Sequence, residues 1–153
     1  MDAPRLHALL RDHLDWIGEM RGLTVGADGD LRLARIPGTA DGSRIDLPPP
    51  WEPEPSGIAV APCGDVLLSA TDADRIAVAL ACGDRARLGS TGSAPGAFRG
   101  PAGLAIAGDR LLVADAGNGR IEAFRLPDLR WSGTFAGGLA EPTAIGVDGL
   151  GRV

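Results

Sequence analysis

One pattern occurs four times along this chain, and it leaves few architectures open. It begins as Gly22-Leu-Thr-Val-Gly-Ala-Asp-Gly-Asp-Leu-Arg-Leu, and it returns as Pro55-Ser-Gly-Ile-Ala-Val-Ala-Pro-Cys-Gly-Asp-Val-Leu-Leu. It returns again as Pro101-Ala-Gly-Leu-Ala-Ile-Ala-Gly-Asp-Arg-Leu-Leu-Val-Ala-Asp and as Pro142-Thr-Ala-Ile-Gly-Val-Asp-Gly-Leu-Gly-Arg-Val. Aligned at Gly22, Gly57, Gly103 and Ala144, the copies are spaced by 35, 46 and 41 residues. A unit of this length cannot bury its own apolar faces and has to stack on its neighbours.

Each copy opens with alternating small and aliphatic residues, as in Gly103-Leu-Ala-Ile, which suits a short strand buried on both faces. A Gly/Asp turn follows (Asp28-Gly29, Gly64-Asp65, Gly108-Asp109), then a second apolar strand, clearest in Leu111-Leu-Val-Ala. In the third copy a hairpin turn at Asn118-Gly119 leads to the alternating strand Arg120-Ile-Glu-Ala-Phe-Arg. Asn-Gly there predicts a type I′ turn with both central residues at positive φ. Pro127-Asp128 marks a further turn before a fourth strand, Arg130-Trp-Ser-Gly-Thr-Phe-Ala. Gly 23 and Pro 12 in 153 residues agree with many short elements.

Four antiparallel strands per unit, repeated, predict an all-β fold: a β-propeller of four-stranded blades forming a partial ring. The first blade is expected over 22–54, the second over 55–91, the third over 92–137 and the start of a fourth over 138–153. Residues 1–21 read differently, as an amphipathic α-helix with Leu6, Leu10, Leu14 and Ile17 on one face. The stretch Pro48-Pro-Pro-Trp-Glu-Pro-Glu-Pro55 reads as a stiff connector between the first two blades.

Composition narrows the partners. The net charge is −5, and 20 acidic residues outnumber 15 basic ones, so the chain is expected to bind neither nucleic acid nor membrane. Arg85, Arg87, Arg99 and Arg125 are basic positions within this acidic whole. No apolar run approaches a membrane span, and two cysteines are too few for a disulfide scaffold. The chain is therefore expected in the cytoplasm.

Candidate site residues are few. His7 and His13 are the only histidines, and six residues apart on a helix they point to different sides, so no metal site is expected from them. Asp115 and Arg120 bracket the Asn118-Gly119 turn, and Asp72 and Arg75 are expected to bracket its counterpart. These are read as structural: a carboxylate capping turn amides and pairing with the arginine. Cys63 and Cys82 are expected to face each other as two thiols, because a hairpin centred on Asp72-Ala73 places them in register. No cofactor, metal site or catalytic set is expected.

The run Gly92-Ser-Ala-Pro-Gly-Ala-Phe98, then Pro101-Ala-Gly-Leu-Ala-Ile, Leu112-Val-Ala-Asp115, Asn118-Gly-Arg-Ile121 and Phe124, resembles the NHL repeat. Residues 55–90 resemble it more loosely; Leu68 to Ile76 is expected to be one residue shorter and lacks the Asn-Gly. The resemblance implies a propeller whose first strands line a central channel and whose ring has about six blades, roughly 250 residues at this repeat length. The ring is thus expected to be completed in cis by further chain or by a second chain. With no catalytic set in the chain, and with loops at a propeller's two rims suited to protein contacts, the expected role is a non-catalytic module that binds or scaffolds a protein partner.

Two further resemblances bear on function. A helix followed by Gly22-Leu-Thr-Val and Leu31-Arg-Leu-Ala-Arg-Ile-Pro37, with Cys-Gly-Asp turns at Cys63 and Cys82, is similar to proteins of phage-tail-like contractile injection clusters. Gluconolactonase-type propellers are the alternative, a metal-dependent lactonase or hydrolase. The expected channel strands (Leu23-Thr-Val, Ile58-Ala-Val, Leu104-Ala-Ile, Ile145-Gly-Val) offer no carboxylate, so that reading needs its ligands in further blades.

Overall fold

The computed structural model describes residues 20–25, 31–35, 55–80, 82, 84–148 and 150–153. The expected helix over 1–21 lies outside the described residues, apart from Met20 and Arg21. Those two belong to a strand, so the first repeat starts two residues earlier than its pattern. Most of the 48–55 connector is likewise outside them.

Ten strands are present among the described residues. β1 (Met20–Val25) and β2 (Leu31–Arg35) pair antiparallel, with Leu23 opposite Leu33. β3 (Gly57–Val60), β4 (Val66–Ala70), β5 (Arg75–Ala79) and β6 (Arg85–Leu88) form one four-stranded antiparallel sheet in sequence order. β7 (Pro101–Ala107), β8 (Arg110–Asp115), β9 (Arg120–Arg125) and β10 (Arg130–Gly137) form another. These are the second and third blades, and the sheet order in each is the order of the chain.

The blades stack through their inner strands: β7 lies against β3 and β4, and β1 lies against β3. Successive side chains on a strand point to opposite faces, so a sheet between two neighbours must be apolar on both. β8 satisfies this with Leu111 and Val113 on one face and Leu112 and Ala114 on the other. Leu111 and Val113 join Phe124, Phe98 and Leu104 against Ala59, Leu67, Ile76 and Val78 of the second blade. Phe98 is completely buried there, its ring 5.7 Å from that of Phe124. The opposite face of the third blade, Leu112, Ala114, Ile121 and Ala123, is covered in part by Ile145 of the fourth copy.

The repeat's glycine explains how closely the blades approach. A Cβ on Gly57 would stand 2.4 Å from the Ala102 carbonyl oxygen of the next blade. One on Gly103 would stand 2.8 Å from Ala144 Cα and 2.9 Å from the Thr143 oxygen. The same repeat position thus touches the following copy's backbone twice. Hydroxyls fasten the first of these junctions: Ser69 donates to Ala102 O at 2.5 Å and Thr71 to Pro101 O at 2.7 Å.

Three expectations need correction. The turn at Asn118-Gly119 is not type I′. The ladder closes at Asp115 opposite Arg120, leaving a four-residue loop: a 3-10 turn over Ala116–Asn118, then Gly119 alone at positive φ. The second blade's hairpin is not shorter. Ala70 opposes Arg75, and the loop is a 3-10 turn over Thr71–Ala73 followed by Asp74 at φ 51°. Finally, residues 141–148 join no strand ladder, since a strand exists by pairing and this segment has no paired neighbour among the described residues. The turn after it does form. Asp148 N–H donates to Arg152 O as Ala61 N–H donates to Asp65 O in the second blade.

Candidate functional site

The polar residues of the third repeat converge behind the β8–β9 hairpin. Asp115 ends β8 and is completely buried. Its Oδ1 accepts the Arg99 N–H at 2.7 Å, and its Oδ2 accepts Asn118 Nδ2 at 2.7 Å and Arg120 Nε at 2.9 Å. Arg120 starts β9, directly opposite Asp115. Its terminal nitrogens reach the carbonyls of Ser93, Ala94 and Ala97, and Nη1 lies 2.9 Å from Glu122 Oε1. All five guanidinium N–H groups therefore have acceptors. Asn118 also donates to Gly92 O at 2.9 Å. The Gly92 to Phe98 loop is thereby held by side chains from the following hairpin, which keeps Phe98 plugged between the blades.

Glu122 is the member that sequence reasoning missed. It is completely buried, pairs with Arg120, and accepts the Trp131 indole N–H and, at 3.4 Å, the Thr134 hydroxyl. The available signal was alternation: Glu122 lies between Arg120 and Phe124 on one face of β9, and Phe124 is a core residue. A buried carboxylate needs a cation and donors around it, and Arg120 and Trp131 are within reach.

The structure brings Asp115, Asn118 and Arg120 together beside Gly119: Asp115 pairs with Arg120 as expected, but it caps no amide of its own turn and holds the Arg99 N–H instead. Asp72 is not the counterpart of Asp115, whereas Arg75 starts β5 at the position that Arg120 holds on β9. Asp72 occupies the position of Gly117, and Ala70 that of Asp115. Arg75 Nε bonds to Ala73 O at 3.0 Å. Asp74, at the position of Gly119, holds the neighbouring blade instead, accepting the Gly100 N–H at 2.7 Å. Asp74 and Asp115 thus grip adjacent amides, Gly100 and Arg99, of the strand that enters the third blade.

Cys63 and Cys82 are free and exposed. The β4–β5 register is the expected one, with Val66 opposite Ala79. The cysteines lie just beyond its end, in the β3–β4 and β5–β6 turns, where Cys82 Sγ is 3.8 Å from Asp84 Oδ2. The expectation that the two thiols face each other carries that register on through both turns. Mild oxidation of the full chain is expected to trap an intramolecular disulfide, visible as a faster band on non-reducing electrophoresis and lost in Cys63→Ser. Only intermolecular bands would show that the turns splay the thiols apart.

Among the described residues no group of three or more His, Cys, Asp or Glu side chains gathers for a metal ion, and no helix is long and apolar enough to cross a membrane. The polar side chains on the outer strand differ from those of the hairpin in their surroundings. β10 carries two β-bulges against β9 and leaves Trp131 43% and Phe135 50% exposed.

A family comparison matches the NHL repeat over residues 98–124. The chain carries an NHL repeat. The matched segment runs from Phe98 to Phe124, the two rings in contact in the core, and contains the whole Asp115–Arg120 hairpin. Among solved structures, the fold is similar to virginiamycin B lyase from Staphylococcus aureus, with a TM-score of 0.63 and 13% identity over 87% of this chain and 47% of that one. It is also similar to a streptogramin B lyase (0.61, 14%, 82% and 44%) and to Kuenenia stuttgartiensis hydrazine synthase (0.57, 15%, 87% and 40%). At these identities the likeness is one of fold, a β-propeller, and the third blade carries the NHL repeat. The chain spans about half the length of these lyases. A comparison with curated proteins gives no significant match.

Proposed function

We propose that this chain is a non-catalytic propeller module that docks a protein partner through the outer strand of its NHL blade. The observation that carries the reading is the contrast between the two sides of β9. The carboxylates and the arginine of the hairpin are engaged in holding loops and blades together. The adjoining strand β10 instead presents Trp131 and Phe135 to solvent. Half-exposed aromatics on a rigid sheet are a common feature of protein interfaces, where a ring buries much area at little entropic cost. A component of a phage-tail-like contractile assembly is one setting that fits, and the sequence resemblance supports it.

The test is site-specific photocrosslinking in the source cells. A benzophenone amino acid replacing Phe135 is expected to give a discrete protein adduct that weakens in Trp131→Ala, while the same probe replacing Arg87 on β6 gives none. Absence of any adduct from a correctly folded chain would overturn the reading.

The likeness to the two lyases favours one alternative, an enzyme assembled on a ring of which these blades are part, including the metal-dependent lactonase read from the sequence. Incubation of the full chain with a δ-lactone and Ca²⁺, Mn²⁺ or Zn²⁺ is expected to give no hydrolysis above buffer. Metal-dependent turnover would replace the docking proposal.

A further inference from the structure

The strand register of the third blade assembles a feature that no single segment of the sequence displays. Arg110 on β8 lies directly opposite Arg125 on β9, and Arg125 lies directly opposite Arg130 on β10. Three arginines therefore form one row across three adjacent strands, on the same face of the sheet. Directly opposed residues in antiparallel strands are about 4.5–5.5 Å apart at Cα. Like charges so placed repel and lower stability. All three side chains are exposed. Arg110 and Arg130 each approach one carboxylate, Asp109 at 3.9 Å and Asp128 at 3.4 Å, in solvent-exposed pairs that contribute little. Arg125, in the middle, makes no ion pair with a described residue.

The repeat does not require this row. The corresponding positions of the second blade are Asp65, Leu80 and Asp84, and that sheet folds in the same strand order. A charge arrangement that disfavours the fold, in a chain of net charge −5, and that the second blade lacks, points to a role outside the fold. Guanidinium groups are planar forks that bind carboxylates through paired N–H donors. Three of them in a row, spaced by the strands, match an extended segment bearing several carboxylates.

We propose that the Arg110–Arg125–Arg130 row is a docking site for an acidic segment of a partner protein. It rests on the docking function above and names the chemistry of the partner. An aspartate- and glutamate-rich strand or tail sets its carboxylates on the row and displaces Asp109 and Asp128 from their exposed pairs.

The test uses the full chain and a fluorescein-labelled peptide of alternating Asp and Glu, followed by anisotropy. Binding is expected at low ionic strength, with loss at high salt as the charges are screened. Arg125→Gln is expected to weaken it about tenfold, Arg125→Lys to weaken it less, and Arg87→Gln on β6 to leave it unchanged. The melting temperature of Arg125→Gln should equal or exceed that of the parent, because the substitution relieves repulsion. A lower melting temperature would make Arg125 a structural residue and overturn the proposal, as would peptide binding indifferent to Arg125→Gln. Tighter binding of an oligouridylate at the same row would overturn the choice of an acidic protein segment. If the Phe135 adduct persists while the arginine variants bind peptide normally, the docking function stands and this assignment of its partner falls.

Discussion

Arg120→Ala is expected to destabilise the protein by about 3–5 kcal/mol, read as a shift of the urea midpoint for the third blade. The magnitude follows from what the side chain leaves behind. Asp115 and Glu122 are both completely buried, and Arg120 lies within 2.9 Å of each. Removing the guanidinium leaves two carboxylates facing each other's field without a cation, in surroundings that cannot solvate them. It also removes the hydrogen bonds to the carbonyls of Ser93, Ala94 and Ala97, so the loop that seats Phe98 loses its clamp. Arg120→Lys keeps the charge but offers a point donor in place of a fork, and recovers only part of the loss. A cost for Arg120→Ala below about 1 kcal/mol, the size of an exposed pair, would show that water reaches the carboxylates and that the network is peripheral.

Gly57→Val is expected to cost about 3 kcal/mol, although valine is a better strand former than glycine. The backbone at Gly57 is not in the left-handed region, so local conformation does not oppose the change. The opposition comes from the neighbouring blade: the first added carbon would stand 2.4 Å from the Ala102 oxygen and 2.9 Å from Ser69 Oγ. The Ser69 hydroxyl can turn aside, but the Ala102 carbonyl belongs to β7 and moves only with its blade. Gly146→Val provides the comparison. A Cβ there meets nothing within 4 Å, and the expected change is within about 0.5 kcal/mol. A stability gain in Gly57→Val would mean that strand propensity outweighs the junction and that the blades are less closely coupled than the contact implies.

What the sequence by itself determined is the local part of the repeat. β9, Arg120–Arg125, and β10, from Arg130, occupy the predicted segments, because alternation and turn residues act between near neighbours. The β4–β5 register was equally legible, since a hairpin closes on its own turn and the turn sets which residues face each other. Even the pairing of Asp115 with Arg120 across a loop of glycine and asparagine could be read, though not the carboxylate's hold on the Arg99 N–H in place of its own turn's amides. The type of that loop could not. Asn-Gly permits type I′, but the pairing of Asp115 with Arg120 makes the loop four residues long, and a four-residue loop needs only one residue, Gly119, at positive φ.

The tertiary structure alone decided the features that need two blades or three strands at once. Alternation puts Glu122 on the face of Phe124, but what receives its charge there is settled only when Arg120 pairs with it and Trp131 and Thr134 of β10 close over it. Asp74 is one of two acids in its loop until the next blade presents the Gly100 amide to it. The arginines at 110, 125 and 130 are scattered along the chain until three strands set them in one row. Hydrogen bonds and repulsions between charges depend on distance in space, and that distance is set by how blades stack and strands register, not by separation along the chain.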